Sequence, residues 1–266
     1  MKLVIQQNNL YDCTYIEPYA GGAAIALDLL YSEYARNIVI NDLDYSIFSF
    51  WYSILNHAEE MSKMIIETPI TMETWNQQKG IHQYPQEHTL LEVGFSTFFL
   101  NRTNRSGIIQ GGVIGGKKQS GKWKMDVRYN KKDLIQRINR ISTYKDRIEI
   151  CNKDACQLIY ERRKTSNSNT LFYIDPPYYI KGKELYHHHY GPHDHINVRD
   201  TICAIKPQNW ILTYDNVPKI SELYKDYRQI KYHLSYTAQK KRVGTELMIF
   251  DNDIIIPKTK NPARIS

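Results

Sequence analysis

The chain has 266 residues, of which 35 are lysine or arginine and 28 are aspartate or glutamate, for a formal net charge of +7. Hydrophobic residues make up 42% and charged residues 24%, which is typical of globular domains and excludes wholesale disorder. No apolar run reaches the ~18 residues of a membrane span, and residues 1–12 have no signal-peptide core. The four cysteines form no CxxC pair. We therefore expect a cytoplasmic protein of one large α/β domain, or of one such domain with an insertion.

The first 67 residues predict the opening of a doubly wound α/β sheet. A β-favouring run stops at Pro18, a glycine turn follows, and an Ala- and Leu-rich stretch predicts a helix. A second strand ends at Asp42, and apolar residues at helical spacing follow it. The predicted elements are strands over 14–17 and 37–40 and helices over 23–34 and 47–66.

The pattern changes after residue 67 and changes back near residue 146. The intervening stretch has Gln, His and Gly clusters and an amphipathic helix predicted over 133–141. Strand–helix alternation then resumes, and we expect a frayed tail over 261–266. The later predicted strands are 147–151, 171–175, 210–214, 232–236 and 246–250. We therefore predict a catalytic domain of residues 1–67 and 146–266 with an inserted region over 68–145.

Positive charge is concentrated between residues 101 and 147. Thirteen lysines and arginines and three aspartates give this segment a net charge of +10, while the rest of the chain has a net charge of −3. The segment also contains Trp123, Tyr129 and six of the 13 glycines. This composition favours a polyanion-binding loop, and a solubilising charged face is the alternative.

The most informative run is YIDPPYY at residues 173–179. It places a carboxylate at the end of an apolar strand, the edge of an open α/β sheet where ligands bind. Two prolines fix the backbone and donate no N–H, so carbonyl oxygens remain beside the carboxylate. Two acceptors and the ring of Tyr178 suit a flat amine. A strand end turned by two prolines is the alternative.

Two features near the first strand indicate a nucleoside site. Gly21 and Gly22 lie between a strand and a helix, where glycine lets a ligand approach the backbone. Asp42 lies 21 residues after Gly21, at a strand end where an acid commonly holds ribose hydroxyls. Asp154 follows a third strand and has two interpretations, an acceptor for an adenine amine or a helix N-cap.

Together these motifs resemble the Dam-like adenine-specific DNA methyltransferases, which use S-adenosylmethionine (SAM), and the resemblance spans roughly residues 15–250. Their order resembles the alpha arrangement, with the cofactor loop first, then the insertion and then the catalytic motif. The family's cofactor loop resembles Glu17, Pro18, Tyr19, Ala20, Gly21 and Gly22. Its ribose-binding acid resembles Asp42, and the acid that recognises the cofactor's adenine resembles Asp154. Its catalytic tetrapeptide resembles Asp175, Pro176, Pro177 and Tyr178.

The resemblance implies a Rossmann-like SAM-dependent methyltransferase sheet with an inserted, mainly helical DNA-recognition region. Residues 98–103 resemble the start of that insertion. The resemblance and the charge assign contact with double-stranded DNA to Asn101, Arg102, Arg105, Lys117, Lys118, Lys122, Lys124 and Arg128. A cognate restriction enzyme is a further partner that the family implies.

The implied reaction is direct methyl transfer to the 6-amino group of an adenine flipped out of the duplex. Asp175 and the Pro176 carbonyl would accept the two amine hydrogens while the base stacks on Tyr178. Three alternatives stay open. Residues 1–12 lack the Gly-Gly-Lys segment with which the family usually begins, which suggests a DNA-binding relative with weak or no turnover. RNA or protein methylation are the others, although Asp175 in place of asparagine favours a nucleobase amine.

Two further patterns are expected to carry no ligand. Residues 116–122 match the GxxxxGK spacing of a phosphate loop, but Trp123 replaces the required Ser or Thr. The histidines His187, His188, His189, His193 and His195 lack the helical spacing of a metal site, so we predict a solvated loop and no metal.

Overall fold

The structure, a computed structural model, describes residues 1–180, 190–236 and 242–258. The predicted tail over 261–266 and His187, His188 and His189 lie outside these residues. The chain divides into two compact units, the first formed by Met1–Asp42 with Arg147–Ser266 and the second by Leu43–Asp146. This division falls at residue 43, whereas the sequence suggested residue 68. Across the described residues, no helix is both long and apolar enough to cross a membrane.

The strands are β1 (Cys13–Glu17), β2 (Ala35–Asn41), β3 (Ile148–Cys151), β4 (Thr170–Ile174), β5 (Asn209–Asp215), β6 (Arg228–Tyr236) and β7 (Arg242–Phe250). In the part of the chain that the structure describes they form one seven-stranded sheet of order β3-β2-β1-β4-β5-β7-β6. Strand β7 pairs antiparallel with β5 and β6, and the other pairings are parallel. The predicted mixed α/β architecture is confirmed.

The described helices are α1 (Lys2–Gln7), α2 (Ala24–Tyr31), α3 (Tyr45–Asn56), α4 (Ala58–Glu67), α5 (Met72–Gln83), α6 (Leu90–Thr103), α7 (Lys131–Ser142), α8 (Ala155–Thr165), α9 (Pro192–Cys203) and α10 (Pro218–Leu223). Five of them, α3 to α7, belong to the second unit, which is mainly helical as predicted.

The strand order reverses beside β1, because β2 pairs with one edge of β1 and β4 pairs with the other. Ile16 pairs in register with Val39 on one side and Phe172 on the other. These residues are at most 3% exposed and belong to one hydrophobic core, to which α8 adds Leu158 and α9 adds Val198. The reversal places the carboxyl ends of β1 and β4 side by side, where open α/β sheets bind ligands.

Two of the predicted helices differ from those observed. The single helix predicted over 47–66 is wrong, because the backbone leaves helical geometry at His57 (φ −138°, ψ 40°) and divides it into α3 and α4. The apolar spacing continues across the break, so periodicity did not reveal it. The first predicted helix begins later, at Ala24, because Ala23 has a left-handed backbone with φ 45°. The amphipathic helix predicted over 133–141 is confirmed as α7.

In the second unit, α6 crosses α3 at close range. A Cβ built on Gly94 would lie 2.3 Å from Ser53 Oγ and 2.5 Å from the Ser49 carbonyl oxygen. Both serines are fully buried, and each donates a hydrogen bond to its own helix, Ser49 to the Tyr45 carbonyl and Ser53 to the Ser49 carbonyl. Glycine is therefore required for this crossing.

We expect Gly94→Ala to lower the free energy of unfolding by about 1–3 kcal/mol, since the methyl group meets backbone that cannot move aside. Gly80→Ala on α5 is the matched control, because nothing lies within 4 Å of its Cβ and alanine favours the helix by about 0.5–1 kcal/mol. Urea denaturation of both variants measures the two effects. Equal stabilities for the two variants would contradict the assigned crossing.

Candidate active site

Four acidic residues predicted to act in the site follow the carboxyl ends of parallel strands in the first unit. Glu17 ends β1, Asp42 follows β2, Asp154 lies three residues beyond β3, and Asp175 follows β4. Carboxyl ends of parallel strands share one edge of a sheet. The structure thus places all four predicted acids at a single edge.

The glycine turn after β1 leaves open space around its backbone. Gly21 has φ +48°, and nothing lies within 4 Å of a Cβ built on Gly21 or on Gly22. The Gly21 amide donates to Asp42 Oδ2 at 3.0 Å, so the predicted ribose acid is tied to the predicted cofactor loop. Ala23 adopts the left-handed backbone without being glycine, at a cost of about 1–2 kcal/mol.

Asn41 holds the two predicted cofactor segments together, a role that sequence reasoning missed. It is 1% exposed. Its Nδ2 donates to the Pro18 carbonyl at 2.9 Å and to the Lys153 carbonyl at 2.9 Å, while its Oδ1 accepts from the Lys153 amide at 2.9 Å. The residue after Lys153 is Asp154. An amide directly before Asp42, at the end of an apolar strand, is the sequence signal for such a link.

Glu17 is buried, with 4% of its surface exposed. Its Oε1 accepts from the Ala26 amide at 3.1 Å, one of the first-turn N–H groups of α2 that have no partner within the helix. Burial raises the pKa of Glu17 to about 8, while that hydrogen bond and Tyr15 act in the opposite direction. The side chain therefore joins β1 to α2, and the open space lies at Gly21 and Gly22.

The two interpretations of Asp154 are both compatible with its position. It is the N-cap of α8, and its Oδ1 accepts from the Gln157 amide at 3.0 Å. The residue is exposed, so capping does not bury the carboxylate. Its role toward an adenine amine stays a prediction.

Asp175 is surrounded by hydroxyl groups and by a second carboxyl. Thr213 on β5 donates to Asp175 Oδ1 at 2.8 Å. Burial raises the pKa of Asp175 to about 6, the Thr213 and Tyr178 hydrogen bonds lower it, and the charge of Glu246 raises it. Glu246 itself is 2% exposed and accepts from the Tyr232 hydroxyl at 2.7 Å. At neutral pH Asp175 is mostly ionised and able to accept hydrogen bonds from an amine.

A cluster of rings connects the cofactor loop with α9. The hydroxyls of Tyr19 and Tyr190 lie 3.0 Å apart, and Tyr190 packs edge-on against His195. His195 is 2% exposed, and its Nδ1 is 2.7 Å from the Tyr214 hydroxyl. The prediction of a solvated loop is therefore wrong for His195, because the helix turns this side chain into the core. His193, on the same helix, is exposed as predicted.

The described residues contain no group of three or more His, Cys, Asp or Glu side chains placed to hold a metal ion.

The predicted DNA-contacting residues of the second unit are the half-buried Asn101 and two groups of cations. Arg102 and Arg128 are half-buried, and burial together with the Arg128 charge lowers the pKa of Arg102. Arg102 donates to Asn101 Oδ1 at 2.7 Å, and Arg128 donates to the Asn104 carbonyl at 3.3 Å. Exposed cations form the other group, which comprises Arg105, Lys117, Lys118, Lys122 and Lys124.

The loop carrying these lysines is held by two amide side chains. Asn104, fully buried, accepts from Trp75 Nε1 at 2.7 Å and donates to the Ile109 carbonyl at 2.7 Å. Gln119 donates to the Ile114 carbonyl at 2.7 Å and accepts from the Met125 amide at 3.0 Å. Residues 116–119 form turns and residues 121–122 form bends, and no described strand runs directly into residue 116.

The sequence pattern of one known family matches residues 3–240, nearly nine-tenths of the chain. The chain belongs to the D12 class N6 adenine-specific DNA methyltransferase family. This confirms the resemblance drawn from the motifs, and membership implies S-adenosylmethionine as the cofactor and DNA as the substrate of the family. No curated protein matches the sequence.

Solved structures of methyltransferases resemble the chain weakly. A SAM-dependent methyltransferase from Agrobacterium tumefaciens has 11% identity and a TM-score of 0.42 over 94% of this chain, which spans 59% of that protein. The rRNA methyltransferase aviRa from Streptomyces viridochromogenes has 11% identity and a TM-score of 0.37, and the match covers 94% of this chain and 82% of the aviRa chain. Both TM-scores are below 0.5, so the family match carries the assignment.

The raised pKa of Glu17 predicts a pH-dependent loss of stability. The folded pKa of about 8 exceeds the ordinary value of 4.5, so between these values the unfolded chain has released a proton that the folded chain keeps. Folding stability from this group therefore falls as pH rises. Glu17→Gln keeps an acceptor for the Ala26 amide without the charge.

We expect the unfolding free energy of Glu17→Gln, relative to the unsubstituted chain, to increase from about pH 5 to about pH 8 and then to level off. Urea denaturation at a series of pH values measures this difference. Glu222→Gln, an exposed carboxylate on α10, is the control and should show no such trend. A difference for Glu17→Gln that did not change with pH would contradict the raised pKa of Glu17.

Proposed function

We propose that this chain transfers a methyl group from SAM to the 6-amino group of an adenine flipped out of double-stranded DNA. The observation that carries the proposal is the position of Asp175. It follows the central strand β4, is ionised at neutral pH, and is adjacent to Pro176 and Tyr178 in a chain of the N6 adenine-specific family.

The groups at the carboxyl ends of β1, β2 and β3 fit the nucleoside part of SAM. The open space around Gly21 and Gly22 allows close approach to their backbone. Asp42 supplies carboxylate oxygens at the end of β2, where ribose hydroxyls are held in other α/β sheets. Asp154 supplies an exposed carboxylate at the end of β3 that can accept from an amine. We assign cofactor binding to these residues together with the backbone of Pro18, Tyr19 and Ala20.

The side chains after β4 would act on the base. The adenine amine is a weak nucleophile because its lone pair is delocalised into the ring. Asp175 and the Pro176 carbonyl accept hydrogen bonds from its two N–H groups. These hydrogen bonds orient the nitrogen and draw its lone pair out of conjugation with the ring. Stacking on Tyr178 offsets about 1–3 kcal/mol of the cost of flipping the base. SAM, when bound, supplies an electrophilic methyl group.

The second unit would hold the DNA backbone. Its exposed lysines lie in a glycine-containing loop that carries no acidic residue between 103 and 125. Phosphate contacts of this kind position a protein on DNA without reading its sequence. Asn101, Arg102 and Arg128 would support that surface, since they bond within the unit. Action on DNA in the cytoplasm, with a cognate restriction enzyme as a partner, is part of the same proposal.

A DNA-binding relative with little or no turnover is the second candidate. The segment just before β1 contains no glycine and forms α1 over Lys2–Gln7, which differs from the Gly-Gly-Lys segment of the Dam-like family. Direct measurement of SAM binding separates the two candidates.

Asp175→Asn is expected to reduce transfer of labelled methyl groups to DNA by at least about a hundredfold, since the amide cannot accept as a carboxylate does. SAM binding, measured by calorimetry, should stay within about threefold, because Asp175 is assigned to the base. Asp28→Asn, an exposed carboxylate on α2, is the control. Full activity in Asp175→Asn would sink the mechanism, and absent SAM binding in the unsubstituted chain would favour the second candidate.

Replacing Lys117 and Lys118 with glutamine is expected to weaken DNA binding at all sequences. The slope of log K against log salt should become shallower by about 0.9 for each phosphate that the variant no longer neutralises. Fluorescence anisotropy with a labelled duplex between about 50 and 200 mM salt measures the slope. Lys225→Gln, in the first unit, is the control and should leave it unchanged. An unaltered slope in the double variant would exclude these lysines from the DNA interface.

A further inference from the structure

Strand β5 presents two polar side chains on one face. Residues two apart on a strand point the same way, so Thr213 and Asp215 share a face while Tyr214 points to the other, where it meets His195. Thr213 is 1% exposed and Asp215 is 6% exposed. Polar groups buried this completely need hydrogen-bond partners, and the partners identify what the face contacts.

The partners of both side chains belong to residues 175–180, which we call the catalytic segment. Thr213 Oγ1 donates to Asp175 Oδ1 at 2.8 Å, at the beginning of the segment. Asp215 Oδ1 accepts from the Tyr179 amide at 2.9 Å, and its Oδ2 accepts from the Ile180 amide at 2.9 Å, at the end of the segment. The two side chains therefore hold the segment at both ends.

Strand pairing cannot hold this segment. The β4–β5 ladder stops where Ile174 pairs with Leu212, one residue before Asp175. Pro176 and Pro177 have no N–H to donate, so they cannot extend it. The side chains of Thr213 and Asp215 replace the ladder beyond that point, and the Asp215 carboxylate satisfies two successive amides with charge-assisted bonds.

We propose that Thr213 and Asp215 are positioning residues, which fix the orientation of the Asp175 carboxylate and the backbone that carries Tyr178. The proposal rests on the proposed function, since it assigns Asp175 to the amine. Thr213 acts on the carboxylate directly. Asp215 acts through the backbone, because a shift at Tyr179 would move the preceding ring.

Several groups face Asp175 besides Thr213, and they set the background for a pH experiment. Glu17 from β1 and Glu246 from β7 are buried carboxyls near it; the charge of Glu246 raises the pKa of Asp175, and Asp175 in turn raises the pKa of Glu17. The phenols near it are Tyr173, Tyr178 and Tyr232. Among these groups, the Tyr173 hydroxyl also lies 3.3 Å from Thr213 Oγ1, but burial raises the pKa of Tyr173, so this phenol does not titrate together with Asp175. A change in the titration of Asp175 would therefore report the loss of the Thr213 hydroxyl.

The first experiment compares Thr213→Val with Thr213→Ser. Valine keeps the branched shape and removes the donor, so we expect kcat to fall about tenfold or more while KM for DNA and SAM stays within about twofold. The acid limb of kcat, near pH 6 from Asp175, should move up by about one unit. Serine keeps the hydroxyl and should restore both. Unchanged kcat and an unmoved limb in Thr213→Val would overturn the role of Thr213.

The second experiment tests Asp215→Asn by amide hydrogen exchange followed by NMR. Asparagine replaces one of the two acceptor oxygens with an NH2 donor, so one of the Tyr179 and Ile180 amides loses its partner and should exchange about tenfold faster or more, with kcat reduced. Asn209→Ala, at the opposite end of β5, is the control. Exchange and kcat equal to those of the unsubstituted chain would overturn the role of Asp215.

The exchange measurement needs no turnover, and neither does NMR titration of the Asp175 carboxyl in Thr213→Val. If the unsubstituted chain transferred no methyl group, the proposed function would fail. Slow exchange that depends on Asp215, and an Asp175 titration that depends on Thr213, would still support the placement of the segment. If exchange did not depend on Asp215 and the Asp175 titration did not depend on Thr213, the positioning roles would be refuted, whether or not the chain transfers methyl groups.

Discussion

Two consecutive prolines after β4 set the main constraint on this site, because they end the strand ladder at the residue that is expected to do the chemistry. Asp175 lies where β4 can no longer pair, so its carboxylate depends on side chains from the neighbouring strand. Burial raises the pKa of this carboxyl to about 6, and the Thr213 hydroxyl acts in the opposite direction. The balance leaves a carboxylate that is mostly ionised, and so able to accept hydrogen bonds, at neutral pH.

The same end of the sheet also buries other acids, Glu17 and Glu246, and each of them has a hydrogen-bond donor. Glu17 is held by the α2 backbone and Glu246 by the Tyr232 hydroxyl. Asn41 ties the loop after β1 to the loop after β3 without adding charge. Each of these buried side chains accepts a hydrogen bond from a different part of the chain. The positions of the side chains therefore depend on which strands and loops the fold brings together.

Local signals in the sequence were enough to predict the strands, the mixed α/β class and the family. The DPPY run and the glycine turn are contiguous, so their position at strand ends followed from alternation alone. Contacts between distant residues were not accessible in this way. Thr213 and Asp215 lie nearly 40 residues from their partners, and His195 is buried only because α9 packs on the sheet. The break at His57 leaves the apolar spacing intact, so periodicity predicted one helix where there are two.

The central claim is that this chain modifies the 6-amino group of adenine. The most direct test is to incubate it with SAM and unmethylated duplex DNA, digest the DNA to nucleosides and identify the product by mass spectrometry. We expect the unsubstituted chain to form N6-methyldeoxyadenosine and Asp175→Asn to form none. A methylated cytosine, or N6-methyldeoxyadenosine formed equally well by Asp175→Asn, would contradict this expectation.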